Sequence, residues 1–259
     1  MKKNVVKVLL KLMSITKVLI MVTTIALTAL LVIYKLNDKS SKVYNDNVFW
    51  AEITYKGEAT IFGLKEKNDS EKLFIPAKLG KYNVTKIGKP SYSSEEELEN
   101  ITRYYIPATT KTVLYDFFNN SNDNIQIFYT GEVKGIIDLL TKSIDENRNI
   151  KTYIPGNYYD EYFNNNINYY ENHIFKANVI YYMNCLEDDY YYVDYYENDQ
   201  KIEYQPPRPL RNNYQFDGWY LEADCVNRWN FDNDVLKVTE EMQEVKLYAK
   251  WTKVKSVYI

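Results

Sequence analysis

The chain has 259 residues, 46% of them hydrophobic and 26% charged, with 27 tyrosines but only 8 glycines. That composition is globular, with room for one to three domains, and the scarcity of glycine argues against a fold built on glycine-rich phosphate loops. The formal charge of −3 is unevenly spread: residues 1–42 hold eight lysines and one aspartate, while the remainder carries 24 basic against 34 acidic residues, so binding of a nucleic-acid backbone is excluded as a bulk electrostatic effect.

Val18 to Tyr34, VLIMVTTIALTALLVIY, is 17 residues without a charge. Extended back through Lys17, which can snorkel to headgroups, it is long enough to cross a bilayer core of about 30 Å. Lys2, Lys3, Lys7, Lys11 and Lys17 precede it, and Lys35, Lys39 and Lys42 follow. The excess before it favours an amino terminus left in the cytoplasm. The expectation is a cytoplasmic tail and transmembrane signal anchor over 1–42, single-pass in the plasma membrane, with 43–259 extracellular. A cleaved signal peptide is the alternative. No sorting motif follows Trp251, so this helix is expected to be the sole anchor.

Residues 50–66, WAEITYKGEATIFGLKE, read as an opening hairpin. Ile75-Pro76, Ile106-Pro107 and Ile154-Pro155 then recur after short apolar runs, and Ile127 in DNIQIFYTG stands in a similar place. Proline directly after a strand removes a ladder donor and ends the strand. Alternation points Leu73, Tyr104, Ile125 and Thr152 inward with the isoleucines, and Phe74, Tyr105, Gln126 and Tyr153 outward. Phe74, Tyr105 and Tyr153 thus form a candidate binding stripe, with a gap at Gln126. A register slip of one would bury it, and packing on a neighbouring segment would cover it. Residues 93–100, SSEEELEN, suit one helical turn, and 131–147, with Val133, Ile136, Ile137 and Leu140 at helical spacing, reads as one covering helix. The Ile-Pro marks with VTKIG at 84–88 and Phe118 make residues 50–165 resemble BspA-type leucine-rich repeats, whose short units stack because none buries its apolar side alone. The resemblance implies a short irregular solenoid over 43–172.

Residues 157–172 are asparagine-rich without a clean period and are taken as a boundary between two independently folding units. Beyond them KANVIYYMN reads as a strand and YYYVDYYENDQKIEYQPP as strand, turn and strand. In VKLYAKW, Val245, Leu247, Ala249 and Trp251 share one face. FDGWY at 216–220, W-x-F-D at 229–232 and LYAKW at 247–251 resemble the Listeria–Bacteroides repeat, the internalin-type B repeat, over about 175–252. The resemblance implies a small β-grasp-like module over 173–259. The whole chain is therefore expected to be mainly β. A unit of this size relies on one core, and Phe216, Gly218, Trp219, Trp229, Phe231, Leu247 and Trp251 are assigned to it. A ligand pocket lined by the same aromatics is the alternative.

No catalytic, metal or cofactor site is expected. The only histidine, His173, lies at the boundary without a partnering nucleophile motif, and Glu187-Asp188-Asp189 lacks the spacing of a calcium loop. Pairing of Cys185 with Cys225 is left open. Both resemblances imply adhesion, so the leading expectation is a tethered surface protein that binds an extracellular protein or glycan. A passive envelope spacer is second and a membrane-bound enzyme third.

Overall fold

In a computed structural model of the chain the described residues are 16, 20–21, 23–24, 42–66, 69–88, 98–165, 169–185, 190–239 and 243–254. Two compact units are present, Met1–Lys42 with Thr54–Lys56, and Val43–Ile53 with Gly57–Ile259. In the first unit Thr16, Ile20, Met21, Thr23 and Thr24 are helical; the rest of the apolar run Val18–Tyr34 lies outside the described residues. Among the described residues no helix is long and apolar enough to cross a membrane. Residues 93–97 of the turn expected at 93–100 lie outside them as well.

The second unit is mainly β, with three sheets. The first follows from the opening hairpin: β1 (Lys42–Asn45), β2 (Phe49–Ile53), β3 (Glu58–Leu64), β5 (Lys78–Leu79), β6 (Tyr82–Ile87) and β8 (Thr112–Val113), in the order β1-β2-β3-β6-β5 with β8 also on β6. The second sheet is wholly parallel and in chain order: β4 (Lys72–Phe74), β7 (Arg103–Ile106), β9 (Asn124–Tyr129), β10 (Asn149–Ile154) and β11 (Ile174–Lys176). Between these strands, α1 (Ile137–Asp145) continues a 3-10 turn at Val133–Ile136, where one helix was expected over 131–147.

Alternation along the parallel strands sends two sets of side chains to two cores. Leu73, Ile75, Tyr104, Ile106, Ile127 and Ile154 share one with Ala51, Ile61 and Val84 of the first sheet. The expected register needs one correction. Ile127 pairs with Tyr104 and Thr152, so Tyr129, not Ile127, stands beside Ile106, a shift of two residues that keeps every side chain on its face. A tyrosine fits where its neighbours carry isoleucine because Gly131 and Gly135 make room. A Cβ on either would lie 2.2 Å from the Tyr129 hydroxyl, which donates to the Thr110 carbonyl at 2.9 Å.

Two segments differ from expectation. Residues 157–172, read as irregular, contain the helix α2 (Gly156–Asn165). Tyr158, Tyr159, Tyr162 and Phe163 recur at helical spacing and pack against the first core. Strand β11 completes the parallel sheet, and the third sheet starts at Val179. That sheet has β12 (Val179–Tyr182), β13 (Tyr190–Asp194), β14 (Tyr214–Tyr220) and β15 (Val245–Lys253), in the order β13-β12-β15-β14 with β12 parallel to β15. The expected second strand after β13 does not form. Pro206, Pro207 and Pro209 remove three donors there. The Tyr196 hydroxyl instead accepts from the Tyr204 N–H at 2.9 Å, and Asn178 holds both backbone groups of Tyr196.

Candidate functional site

Phe74, Tyr105 and Tyr153 lie on the outer face of the parallel sheet, but they do not line a free surface. The position between Tyr105 and Tyr153 belongs to Phe128 rather than Gln126, a consequence of the two-residue shift. A continuous aromatic row results. Ring centroids are 4.2 Å apart for Phe74–Tyr105, 4.8 Å for Tyr105–Phe128, 5.2 Å for Phe128–Tyr153 and 5.6 Å for Tyr153–Phe175. The third sheet covers this row. Tyr192 meets Phe74 edge-on at 5.3 Å and donates its hydroxyl to the Ile75 carbonyl at 2.8 Å, while Tyr195 stacks on Tyr153 at 4.8 Å. Only 1% of Tyr105, none of Phe128 and 6% of Tyr153 is exposed. The stripe and the repeat share one core with Trp219 and Leu247, so the accessible gap expected at Gln126 is absent. Apolar area of that size is buried because water excluded from both faces stabilises their contact.

One ion pair sits inside this contact. Asp194, fully buried, accepts from Arg103 Nη2 at 2.5 Å, from the Tyr105 hydroxyl at 2.9 Å and from the Tyr195 N–H at 2.8 Å. Arg103 also donates to Gln126 at 2.7 Å and lies over the Phe128 ring at 4.5 Å. Burial pushes the Asp194 carboxyl up to about 6, and the Arg103 guanidinium pulls it back only in part. Burial likewise raises the Tyr105 and Tyr196 phenols well above their ordinary range. Sequence reasoning missed this pair. Its signal was a lone aspartate in YYYVDYY, on the same alternating face as Tyr190 and Tyr192.

The residues assigned to the repeat core come together. Trp219, Trp229 and Leu247 are buried, and Phe216, Phe231 and Trp251 are half-buried against them. Trp219 contacts Tyr181 at 5.0 Å and Phe216 at 5.2 Å. Trp251 donates its indole N–H to the Met183 carbonyl. Gly218 interrupts the β14–β15 register at φ +125°, and the Arg228 guanidinium lies over it. A Cβ there would come within 3.0 Å of Arg228 Nε. Gly218→Ala is therefore expected to destabilise the protein by about 1–3 kcal/mol through a left-handed conformation and a displaced arginine. Urea denaturation followed by tryptophan fluorescence checks this, and an unchanged midpoint would show that the bulge relaxes.

Beside this core the surface is concave. A cavity of about 470 Å³ is bordered by Arg208, Gln215, Phe216 and Arg228. It shares Gln205 and Arg228 with a second of about 500 Å³ over Trp229 and Phe231. A third, of about 470 Å³, shares Gln205, Phe231 and Asp232 with the second and reaches Tyr196. The three make one groove across the repeat.

Other sequence candidates stay apart from these features. His173 is half-buried in the turn before β11, where its carbonyl accepts from the Thr152 N–H at 2.8 Å. Glu187, Asp188 and Asp189 lie outside the described residues. Among the described residues no group of three His, Cys, Asp or Glu could hold a metal ion. The Cys185 thiol donates to the Met183 carbonyl at 3.3 Å and the Cys225 thiol to the Ala223 carbonyl at 3.4 Å.

Residues 179–250 match the Listeria-Bacteroides repeat domain family, a surface-type repeat. The match spans β12 to β15 and so coincides with the third sheet. The resemblance of residues 50–165 to BspA-type leucine-rich repeats has no such support. No curated protein matches the chain.

Proposed function

We propose that the chain is a membrane-tethered surface protein that holds a partner outside the cell, and that it is not an enzyme. The observation that carries this reading is the Listeria-Bacteroides repeat at 179–250, a repeat of surface proteins that here forms a complete four-stranded sheet. Residues 1–42 supply the anchor, on the strength of the uncharged run Val18–Tyr34 and the lysines before it. Residues 43–176 form a degenerate leucine-rich-repeat solenoid, a reading supported by the in-order parallel strands and by proline directly beyond Ile75, Ile106 and Ile154. The partner is an extracellular protein or glycan.

One observation favours a passive spacer instead. The aromatic stripe that would have served as a sticky face is already covered by the repeat. Binding must then use another surface, and the groove beside Trp229 is available for it. Topology provides the test. Protease added to intact cells is expected to remove an epitope placed after residue 254, while an epitope before residue 1 survives. A protected carboxy-terminal epitope would sink the surface reading altogether.

A further inference from the structure

The geometry points to an acidic saccharide, a polymer of uronate sugars, as the ligand of the groove on the repeat. This deepens the surface-binding reading and rests on it. The groove has two ends of different character. At one end two exposed guanidinium groups, Arg208 and Arg228, border the same cavity. Neither forms an ion pair among the described residues. Arg208 donates to the Phe216 carbonyl at 3.2 Å, and Arg228 rests over Gly218, the one place on β14 where no side chain stands in its way. Arg208 is thus tied to the backbone, and neither guanidinium is within ion-pair distance of a carboxylate among the described residues. Asp217 also borders this cavity and offsets one of the two charges, its oxygens accepting from the neutral Thr252 and Gln215 side chains. In a chain whose residues 43–259 carry more acidic than basic residues, two guanidiniums on one cavity are a local reversal of sign. Guanidinium forks bind carboxylates with two parallel hydrogen bonds.

The middle of the groove supplies the rest of the chemistry. Gln205 and Gln215 are exposed amides that can both donate to and accept from hydroxyls. Phe216 and Phe231 are half-buried and offer ring faces to the apolar side of a sugar. Trp229, buried in the floor, has an indole N–H with no hydrogen-bond partner among the described residues. Three cavities in a row suit a polymer rather than a single small molecule.

The test uses the full chain and defined probes. Oligogalacturonate and hyaluronan oligosaccharides of six sugars are titrated in, with binding read by calorimetry and by tryptophan fluorescence. Cellohexaose is the neutral control and hexaglutamate the acidic-peptide control. At least one uronate oligomer is expected to bind, and to bind tenfold or more better than either control. Arg208→Gln and Arg228→Gln are each expected to weaken it about tenfold, the loss of one charge-assisted contact. Arg208→Lys, which keeps the charge but not the fork, is expected to recover only part of that. Because Arg228 bridges to Tyr220 at the end of β14, each variant is compared by melting temperature. Arg208, exposed and bonded only to one carbonyl, keeps the test decisive if Arg228→Gln unfolds. Equal binding of cellohexaose, tighter binding of hexaglutamate, no binding of either uronate, or full affinity in Arg208→Gln each overturns the assignment. If the uronates fail while the carboxy-terminal epitope is still cut from intact cells, only the groove assignment falls and the surface reading stands.

Discussion

Phe128→Ala is expected to cost about 3–5 kcal/mol, in the range of large aromatic truncations in cores, and to bring the parallel sheet and the repeat down in a single transition. Phe128 is fully buried in the middle of the aromatic row, with Tyr105 and Tyr153 stacked on its two sides. Alanine would leave a void there that neither neighbour can fill without leaving its own strand position. The far side of the same core consists of repeat residues, among them Tyr192, Trp219 and Leu247. Loss of packing is therefore shared between two sheets that the sequence suggested would fold apart. Urea unfolding can follow the halves separately: three of the four tryptophans, Trp219, Trp229 and Trp251, lie in the repeat, while circular dichroism reports all the strands. Coincident transitions, displaced together by the substitution, are the expected result. A fluorescence transition that stays put while the dichroism shifts would mean that the repeat folds alone and merely rests on the row.

Asp194→Ala is expected to cost a similar about 3–5 kcal/mol, for a different reason: it leaves the Arg103 guanidinium in a buried site without its carboxylate. Replacing both, as Arg103→Met with Asp194→Leu, is expected to be far milder, because an apolar pair of similar volume removes the uncompensated charge. The pair also sets a pH dependence. Burial raises the folded-state value of Asp194 from 3.8 to about 6. Between those values the folded protein holds a proton that the unfolded chain releases. This group's contribution is therefore largest below about pH 4 and is lost as pH rises towards 6, by on the order of 2–3 kcal/mol. Above that both states are ionised and the dependence flattens. Asp194→Asn should remove this slope from a stability profile recorded between pH 4 and 7. A profile unchanged by the substitution would show that Arg103 keeps the carboxylate ionised throughout.

Much of the architecture was legible because it rests on period-two alternation. Leu73, Ile75, Tyr104 and Ile106 announce their faces by spacing alone, and so do Val245, Leu247 and Ala249. What alternation does not fix is which residue stands beside which. Ile127 looked like the counterpart of Ile106, yet Tyr129 takes that place, because Gly131 and Gly135 open a space that only the three-dimensional neighbourhood reveals. The same slip hid Phe128 behind Gln126. The helix at 156–165 was hidden by its asparagines, although Tyr158, Tyr159, Tyr162 and Phe163 carried the helical spacing. The stripe Phe74, Tyr105 and Tyr153 was found, but one strand's pattern cannot distinguish an outward face from one covered by a segment far along the chain. The groove was not legible at all, since Gln205 and Arg208 come from the loop before β14 and Arg228 from the loop after it, with no periodic relation.

The parallel pairing of β12 with β15 has a mechanical consequence. These are the first and last strands of the repeat, and they run side by side from Val179↔Val245 to Tyr182↔Tyr248. Tension applied through Val179 at one end and Lys253 at the other pulls the two strands along their own axes in opposite directions. The evenly spaced bonds of a parallel pair then resist together, in shear, instead of opening one after another as a hairpin does when its two ends are drawn apart. Tension along the chain would thus load the repeat in shear.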